Sequence, residues 1–146
     1  MTAQSNVRLA VSSDLDSLIE LDVIARREAR RREFIAQAIS AGRCWVAVEP
    51  RDASMLLSYG VLHDSFFEQA FIPLIVVRDS ARRRGIGSAI LLALESQCGA
   101  AKLFTSTNAS NEPMRRLLDN HGFIASGQIE NLDEGDPELV LMKLRC

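Results

Sequence analysis

The sequence predicts an α/β fold whose central mixed sheet is twisted and largely antiparallel, with six to seven strands flanked by four helices. Two apolar runs, 44–48 and 55–62, are separated by a polar turn and predict a β-hairpin. Two later segments with helical periodicity each lie between predicted strands, which is the arrangement of βαβ crossovers. The chain of 146 residues, 47% apolar and 25% charged, has the size and composition of one globular domain. We therefore expect residues 1–146 to form a single domain.

The N-terminal third predicts one strand and two helices. Alternation of apolar and polar residues at 7–11 indicates a short strand. Ser13 and Asp16 have the spacing of an N-terminal helix cap, and Gly42 lies where a second helix would end. The basic run 26–32 between them is interrupted by Glu28 and followed by Glu33. We interpret this run as a solvated helix face or connector, rather than as a binding surface for an anionic partner.

The central part of the chain predicts strands followed by a helix and another strand. The turn at 50–54 joins the hairpin strands, and the connector 65–69 leads to a strand at 70–77. A third helix with an apolar stripe then ends near Gly99, and the next strand occupies 102–107. The stripe consists of Ile86, Ile90, Leu91 and Leu94.

The C-terminal part predicts a fourth helix and two final strands. Pro113 suits the first turn of a helix, where its missing N–H costs nothing, and Gly122 is placed to end that helix. The strands are expected at 123–129 and 138–144, joined by a loop rich in acidic residues. Because hairpins and crossovers alternate along the chain, the sheet should contain both antiparallel and parallel pairs.

The segment 75–91 joins a strand to a helix through a loop that contains Gly85 and Gly87. Small residues let a ligand approach the backbone, and the first N–H groups of a helix lack partners within it and lie at the positive end of its dipole. Guanidinium groups at 82–84 add bidentate phosphate binders. The third glycine of a dinucleotide fingerprint and the lysine of a P-loop are both missing. The loop predicts a pyrophosphate site, with an ordinary basic βα loop as the alternative.

Charge and cysteine content argue against several classes of function. A net charge of −2 provides no basic field for nucleic acid. Cys44, Cys98 and Cys146 are odd in number and lack CxxC spacing, and His63 and His121 lie far apart. No apolar run of membrane-spanning length or signal-peptide pattern occurs. We therefore expect a cytoplasmic protein with no metal, no membrane partner and no nucleic-acid partner.

A second motif lies in the last predicted helix. Asn111 is followed by Leu117 six residues later, and by Gly122 and Phe123 at eleven and twelve. Together with the Arg-x-x-Gly-x-Gly loop and the order of the elements, this motif resembles the GNAT family of N-acetyltransferases over residues 7–145. One position departs from the family pattern, because Leu118 stands where the family usually has a tyrosine that acts as general acid.

The resemblance implies how acetyl-CoA would be bound as a cosubstrate. In this family the strand before the loop splays from its neighbour, and the pantetheine arm pairs with its backbone. Backbone N–H groups of 83–88 hold the pyrophosphate, and an N–H near Ile75 polarises the thioester carbonyl as an oxyanion hole does. Asn111 would contact the CoA arm, serve as a helix cap, or do both. The residues implied for acetyl-CoA binding are Ile75, Val76, Val77, Arg82, Arg83, Arg84, Gly85, Ile86, Gly87, Ser88 and Asn111.

Leucine at the acid position leaves the proton transfers unassigned. Leu118 has no proton to donate to the departing thiolate, although a thiol of ordinary pKa, about 8.5, is a fair leaving group without assistance. Ser106 lies near the place where some relatives carry a glutamate. The candidate catalytic groups are the alternatives Tyr59, His63, Glu68 and Ser106. Tyr59 also has the ordinary interpretation of a core tyrosine, and His63 and Glu68 that of surface groups at strand ends.

The function implied by the resemblance is transfer of an acetyl group from acetyl-CoA to a primary amine, by direct attack in a ternary complex. The alternative is a non-catalytic acyl-CoA-binding sensor or partner module. A nucleic-acid-binding domain that uses the run 26–32 is a third hypothesis, which the net charge opposes. The acceptor would be a small-molecule or peptide amine. The oligomeric state is left open, with a homodimer as one alternative. The acidic loop 131–138 would be a plain hairpin loop, a rim that attracts a cationic amine, or part of a dimer interface.

Overall fold

The computed structural model describes residues 6–145 and contains a seven-stranded sheet in the order β1-β2-β3-β4-β5-β7-β6. Five α-helices accompany it, and the α/β class predicted from the sequence is confirmed. Cys146 lies outside the described residues. The strands are β1 (Asn6–Leu9), β2 (Cys44–Glu49), β3 (Asp52–Phe66), β4 (Gln69–Val77), β5 (Lys102–Asn108), β6 (Ile124–Ile129) and β7 (Glu138–Leu144). The helices are α1 (Leu15–Leu21), α2 (Val23–Arg27), α3 (Ala29–Ser40), α4 (Ile86–Gln97) and α5 (Glu112–Asn120).

Three helices, rather than the two predicted, precede β2. The extra break occurs at Glu28, whose extended backbone (φ −123°, ψ 119°) separates α2 from α3. Asp22 begins α2 and accepts hydrogen bonds from the N–H groups of Ile24 and Ala25, at 2.9 and 3.3 Å. Such a cap stabilises a helix start, which explains how a helix of only five residues persists here.

The predicted cap at Ser13 is wrong. Residues Ser12–Asp14 form a turn of 3-10 helix, and Asp14 is the residue that precedes α1. Its carboxylate accepts the N–H of Val11 at 2.8 Å and binds the guanidinium of Arg8 at 2.8 and 3.0 Å. The carboxylate therefore ties β1 to the helix start, a role that the sequence spacing did not reveal.

The hairpin between β3 and β4 is tighter than the predicted connector 65–69. β3 continues to Phe66, and the turn consists of Phe67 and Glu68, with φ of 51° and 63°. Two successive residues with positive φ are typical of the turns whose twist matches that of the flanking strands. The polar composition of 63–65 concealed the strand from the sequence pattern.

Residues are grouped by their contacts into two compact units, of which the first contains 6–62 and 74–97. Its part of the sheet is covered on both faces, because consecutive residues of β2 belong to different clusters. Val46 packs with the buried residues of α1 and α3, whereas Ala47 packs with Ile86 and Ile90 of α4. At Gly60 an added Cβ would lie 2.8 Å from the Leu94 side chain, so glycine is what lets α4 approach β3 closely.

The second unit contains 63–73 and 98–145. β7 lies between β5 and β6 and is antiparallel to both, whereas β4 and β5 are parallel over three residue pairs that end at Ile72 and Thr105. Phe66 stacks on Phe71 with ring centroids 4.5 Å apart, and its ring lies 5.5 Å from Phe104. These aromatic contacts place Phe66 of the predicted connector in a packed cluster.

Candidate active site

The predicted phosphate loop lies between β4 and α4 and has an unusual backbone. Arg83 and Gly85 have φ of +66° and +79°, in the left-handed region. Turns of this kind direct successive N–H groups to one side and form concavities that bind anions. Glycine adopts the conformation without steric cost, but Arg83 is held in one that a side chain disfavours. Such strained positions cluster at functional sites.

The start of α4 presents N–H groups that the helix itself does not use. The first helical bond runs from the Ala89 N–H to the Gly85 carbonyl, at 3.1 Å. The N–H groups of Ile86 and Gly87 precede this bond in the first turn, where a helix provides no acceptor of its own. A Cβ placed on Gly85 would meet no atom within 4 Å, which shows that the space beside the loop is open. The loop therefore has the local geometry of an anion-binding helix start.

The three arginines of the loop differ in their partners. Arg82 lies 3.2 Å from the carboxylate of Asp79, and Arg84 lies 2.8 Å from that of Glu49. Within residues 6–145, the Arg83 side chain makes neither a hydrogen bond nor an ion pair. All three side chains are exposed. Arg83 is thus the guanidinium with the least competition for an incoming phosphate.

Arg78 anchors the junction between β4 and the loop. Its guanidinium binds the Glu20 carboxylate on α1 through two bonds of 2.8 and 2.9 Å, and its Nε donates to the Leu56 carbonyl at 2.9 Å. Its backbone N–H donates to the Leu57 carbonyl at 2.7 Å. The guanidinium also holds the pKa of Glu20 below its usual value, which is the expected effect of a hydrogen-bonded cation. This junction is therefore tied to β3 and to α1.

Two buried hydroxyl groups each donate a hydrogen bond to a backbone carbonyl of β4. Ser58 Oγ of β3 donates to the Val76 carbonyl at 2.7 Å, and Thr105 Oγ1 of β5 donates to the Ile72 carbonyl at 2.8 Å. In a regular strand, residues an even number apart direct their carbonyls to the same edge. Since these two carbonyls are bonded from opposite sides of the strand, the backbone is irregular between Ile72 and Val76. The Val76 carbonyl and the Arg78 N–H both bond to β3, so Val77 between them directs its backbone groups away from β3.

Tyr59 lies in a buried polar cluster of the first unit. Its side chain is 0% exposed, and its hydroxyl donates to Asp22 Oδ2 at 2.5 Å. Arg31 binds the same carboxylate oxygen at 2.8 Å. Burial, followed by the hydrogen bond to Asp22, raises the pKa of the Tyr59 hydroxyl. The hydroxyl therefore has a structural partner and is poorly suited to give up its proton.

His63 and Glu68 lie near the end of the β3–β4 hairpin. His63 is half-buried; its Nδ1 accepts the N–H of Ser65 at 3.0 Å, and its ring centroid lies 5.6 Å from that of Phe71. Glu68 is exposed in the turn. Ser106 is half-buried on β5, opposite Val140 of β7. These three candidates keep polar groups at or near the surface.

The fourth predicted helix, now α5, begins as expected at Asn111. The Asn111 side chain accepts the N–H of Met114 at 3.2 Å, so the capping role is observed. Leu118 is 0% exposed, so the position where the family usually has tyrosine is filled by a buried apolar side chain. Position 118 therefore contributes packing to this helix and no proton.

The acidic loop 131–138 uses two of its carboxylates to hold the chain before α5. Asp133 accepts a hydrogen bond from the Asn108 side chain at 2.8 Å, and Asp136 accepts the N–H and hydroxyl of Ser110 at 3.0 and 2.6 Å. The loop therefore has a local structural role. Glu134 remains exposed and carries charge at the surface.

Three residues that shape these regions were not singled out from the sequence: Asp22, Ser58 and Arg78. A serine within the apolar run 56–62 is a usable signal, since a buried hydroxyl needs an acceptor. Asp22 immediately before an apolar helical segment also has the pattern of a cap. The partners of Arg78 are 58 and 22 residues away in the chain, so no local pattern identifies them.

The described residues form neither a metal site nor a membrane-spanning helix. Between residues 6 and 145, no group of three or more His, Cys, Asp and Glu side chains could hold a metal ion. No helix in the same range is long and apolar enough to cross a membrane.

Comparison with known proteins assigns the fold to a family. A model of the acetyltransferase (GNAT) family matches residues 14–123. The crystal structure of a GNAT-family acetyltransferase from Bacillus cereus ATCC 10987 is 36% identical, with a TM-score of 0.89 and 99% of both chains covered.

More distant structures share the fold. Ard1 from Thermoplasma volcanium is 17% identical with a TM-score of 0.84, and 99% of each chain is covered. The structure of yncA from Salmonella typhimurium with its cofactor acetyl-CoA is 16% identical with a TM-score of 0.76, covering 97% of this chain and 94% of the other. No curated protein sequence matches the chain. From the match to the family model and the relative at 36% identity, the chain belongs to the GNAT family of acetyltransferases.

Proposed function

We propose that this protein is an N-acetyltransferase that moves an acetyl group from acetyl-CoA to a primary amine, and that residues 1–146 form one catalytic domain. The observation that carries the proposal is the loop 82–88, in which left-handed residues precede a helix start with N–H groups unused by the helix. Family membership supports the reaction class. The yncA structure, with its cofactor acetyl-CoA, supports the choice of acyl donor.

The pyrophosphate of acetyl-CoA binds to the backbone N–H groups of 83–88 in this proposal. Main-chain donors and the helix dipole together favour a diphosphate at such a helix start. Arg83 is the first side-chain helper, because it has no competing carboxylate among the described residues. Arg82 and Arg84 contribute after loosening from Asp79 and Glu49, at a smaller gain in affinity.

The pantetheine arm pairs with the edge of β4 that faces away from β3. In this proposal Ile75, Val76 and Val77 are the pairing residues. The Val76 carbonyl contributes least, because it already accepts the hydroxyl of Ser58. An N–H near Ile75 is the donor that polarises the thioester carbonyl. Asn111 retains its proposed contact with the CoA arm, in addition to its capping bond.

The reaction proceeds by direct attack of the neutral amine on the acyl carbon in a ternary complex. A C–N bond forms, the C–S bond breaks, and the CoA thiolate leaves with the electron pair. The attacking amine loses a proton to a base, and the thiolate takes a proton from water or from a side chain other than Leu118. A thiol pKa of about 8.5 permits departure without a dedicated acid.

The base is sought among the candidates whose polar groups lie at or near the surface. His63, Glu68 and Ser106 lie at or near the surface, whereas the Tyr59 hydroxyl is buried and bonded to Asp22. A pH–rate profile measured for wild type and for His63→Ala, Glu68→Gln and Ser106→Ala separates them. The variant that removes the acidic limb of the profile, where protonation of the base slows the reaction, identifies the group, and an unchanged profile in all three assigns the step to solvent.

Calorimetric titration with acetyl-CoA tests the binding step, and release of free thiol in the presence of an amine panel tests the transfer. We expect micromolar binding of acetyl-CoA and amine-dependent thiol release well above the uncatalysed rate. Absence of binding at high micromolar acetyl-CoA would contradict the proposal at its first step. Gly42→Val is a suitable control for the binding assay, since Gly42 shares a positive φ but lies far along the chain from the loop.

A second candidate function is an acyl-CoA-binding module without turnover. The buried Leu118 favours it, because the side chain at this position cannot serve as an acid. The two functions differ in one measurement: the module binds acetyl-CoA with no amine-dependent thiol release, whereas the enzyme does both. Measured acetyl transfer to any small amine or peptide would exclude the non-catalytic module as the function.

The remaining parts of the proposal concern partners and location. We propose a small-molecule or peptide amine as the acceptor and a homodimer as the assembly. Nucleic acid is not a proposed partner, because Arg31 is bound to Asp22 and Arg32 donates to the Ala25 carbonyl at 2.8 Å, which leaves a smaller basic surface. A reducing cytoplasmic location is consistent with the free thiols of Cys44 and Cys98.

A further inference from the structure

Strand β6 is the most exposed regular element of the second unit. All six of its residues are exposed, although they form a ladder with β7. It ends the strand order of the sheet, so one edge of its backbone has no strand beside it among the described residues. Natural edge strands are usually protected from pairing by lysine, proline or a covering element. Residues 124–129 contain neither lysine nor proline.

A β-bulge in β6 places two large apolar side chains on the same face of the sheet. Ile124 is opposite Met142 and Ile129 is opposite Glu138, four residues apart on β7. Opposite residues share a face and alternate residues return to it, so Ile124 and Ile129 lie on one face. Without the extra residue at Ser126, where the register shifts, they would lie on opposite faces. Their exposed fractions are 60% and 41%.

This arrangement makes β6 complementary to itself. When two copies of β6 pair antiparallel with the bulged Ser126 of each left out of the pairing, the two-fold axis passes through Gly127. Ile124 then faces Ile129 of the partner subunit, and Ala125 faces Gln128 of the partner subunit. Each opposed pair lies on a single face, which the bulge makes possible. Apolar cross-strand pairs stabilise a ribbon, and the symmetry provides the isoleucine pair twice.

The charges that flank β6 agree with the same register. Continuing the pairing by one residue brings Phe123 opposite Glu130 of the partner subunit. The Lys143 ammonium lies 5.9 Å from the centre of the Phe123 ring, so a cation lies close to the position that this carboxylate would take. Opposite charges thus meet at both ends of the ribbon.

We propose that the exposed edge of β6 is the docking surface for a second copy of this chain, joined through an antiparallel β6–β6 ribbon. The inference rests on the homodimer proposed above and names its interface, but it does not depend on the acetyltransferase reaction. The bulge at Ser126, which elsewhere protects an edge, here aligns the two isoleucines that the pairing requires.

Sedimentation velocity of the full chain between about 1 and 100 µM, the range that reveals ordinary dimer affinities, provides the test. We expect a dimer for wild type, and monomers for Ile124→Glu and Ile129→Lys, each of which places a charge opposite an isoleucine. The double variant places Glu opposite Lys at both pairs and should restore the dimer. Leu92→Glu is the matched control, because Leu92 is 54% exposed on α4 and should leave the dimer intact.

Three outcomes would overturn the proposal: a monomeric wild type over the whole range, a dimer that survives both single charge variants, or a double variant that stays monomeric. Melting temperatures of all variants establish that each is folded.

A second measurement tests the register of the proposed β6–β6 pairing directly. Oxidation of an equimolar mixture of Ala125→Cys and Gln128→Cys chains should give a covalent dimer across the ribbon, and failure of this cross-link in a dimeric sample contradicts the register. Acetyl-CoA titration of the same variants is independent of these results, so failure of the interface is distinguishable from failure of the proposed reaction.

Discussion

The loop 82–88 and helix α5 contain the two motifs that connect this chain to its family, and they depend on different atoms. In the proposed reaction the loop acts through main-chain N–H groups, which any sequence provides once the backbone has the correct handedness. At the usual acid position, α5 would have to act through a side chain, and that side chain is a buried leucine. A function that resides in the backbone therefore tolerates variation around its glycines, whereas a function that resides in one side chain is lost with a single substitution.

The largest effect is expected from changing the handedness of the loop. Gly85→Val places a β-branched residue at φ +79°, which costs about 1–2 kcal/mol and is relieved by rotating the N–H groups away from the ligand. We expect the Kd for acetyl-CoA to rise at least about thirtyfold, or about 2 kcal/mol. Gly42→Val imposes the same strain at φ +70° and should lower stability without changing the Kd. Equal losses of affinity in both variants would mean that the loop has no special part in binding.

The second prediction restores the family side chain in α5. Leu118→Tyr inserts a larger group at a position that is 0% exposed, which should lower the free energy of unfolding by about 1–3 kcal/mol through overpacking. We expect no gain in kcat over Leu118→Phe, which has similar bulk and no hydroxyl. Chemical denaturation and steady-state kinetics provide both values. A kcat for the tyrosine variant several times that of the phenylalanine variant would show that the position can still serve as the acid.

The third prediction compares two hydroxyl groups that bind carbonyls of the same strand. Ser58→Ala frees the Val76 carbonyl next to the proposed pairing residues, and Thr105→Val frees the Ile72 carbonyl. Each should lower stability by about 1 kcal/mol. Only Ser58→Ala should raise the KM for acetyl-CoA, by about tenfold at unchanged kcat, which corresponds to about 1.4 kcal/mol. Similar KM values in the two variants would remove the special role of Ser58.

Smaller effects are expected from the arginine side chains of the loop. Arg83→Ala should weaken acetyl-CoA binding about fivefold, or about 1 kcal/mol, since exposed charge pairs contribute little. Arg84→Ala should weaken it less, because Arg84 is already paired with Glu49 at 2.8 Å. Titrations at low and high salt should converge for wild type and Arg83→Ala, as screening removes the difference. A larger loss for Arg84→Ala would reverse this ranking.

The smallest effect is expected at the Arg8–Asp14 pair, which is remote in sequence from both motifs. It provides a baseline for a change in stability without a change in catalysis. The hydrogen bond from Arg8 lowers the pKa of Asp14 below its ordinary value of 3.8. A lowered folded-state pKa means that the pair stabilises the fold above about pH 4 and that this contribution disappears as the pH falls through the folded pKa. Asp14→Asn should therefore lose up to about 1 kcal/mol at pH 7 and show a weaker decline in stability between pH 5 and 2. The kcat of the variant should be unchanged. If its stability fell with pH as steeply as that of wild type, the assignment of this pH dependence to Asp14 would be contradicted.

Much of the fold could be predicted because its signals are local. Hydrophobic periodicity identified all seven strands, and β7 was predicted with its observed bounds, Glu138–Leu144. Capping chemistry identified Asn111 and the end of α3 near Gly42, where φ is +70°. The error at Ser13 arose because the Asp14 carboxylate accepts the Val11 N–H there. The start of α2 was missed because it depends on a cap at Asp22, and the break at Glu28 has no side-chain cap that a local pattern could reveal.

The candidate site was predictable in its backbone and not in its side-chain partners. Glycines and a basic loop between a strand and a helix predicted an anion site. The left-handed backbone at Gly85 could be expected from the sequence, because glycine adopts positive φ without strain. The bond from Ser58 to Val76 and the contacts of Arg78 join residues far apart in the chain, so no spacing rule could reveal them. For the same reason, the burial of Tyr59 against Asp22 was only one of its possible interpretations.

The amino-acid sequence by itself determined the family, the order of the elements and the position of the glycine-containing loop 82–88, because these follow from short-range periodicity, turn chemistry and residue spacing. Only the tertiary structure decided which carbonyls of β4 are already bonded, which arginine of the loop has no acidic partner within residues 6–145, and that Leu118 is buried. Those properties depend on packing between distant segments, and packing is a property of the assembled chain rather than of any stretch within it.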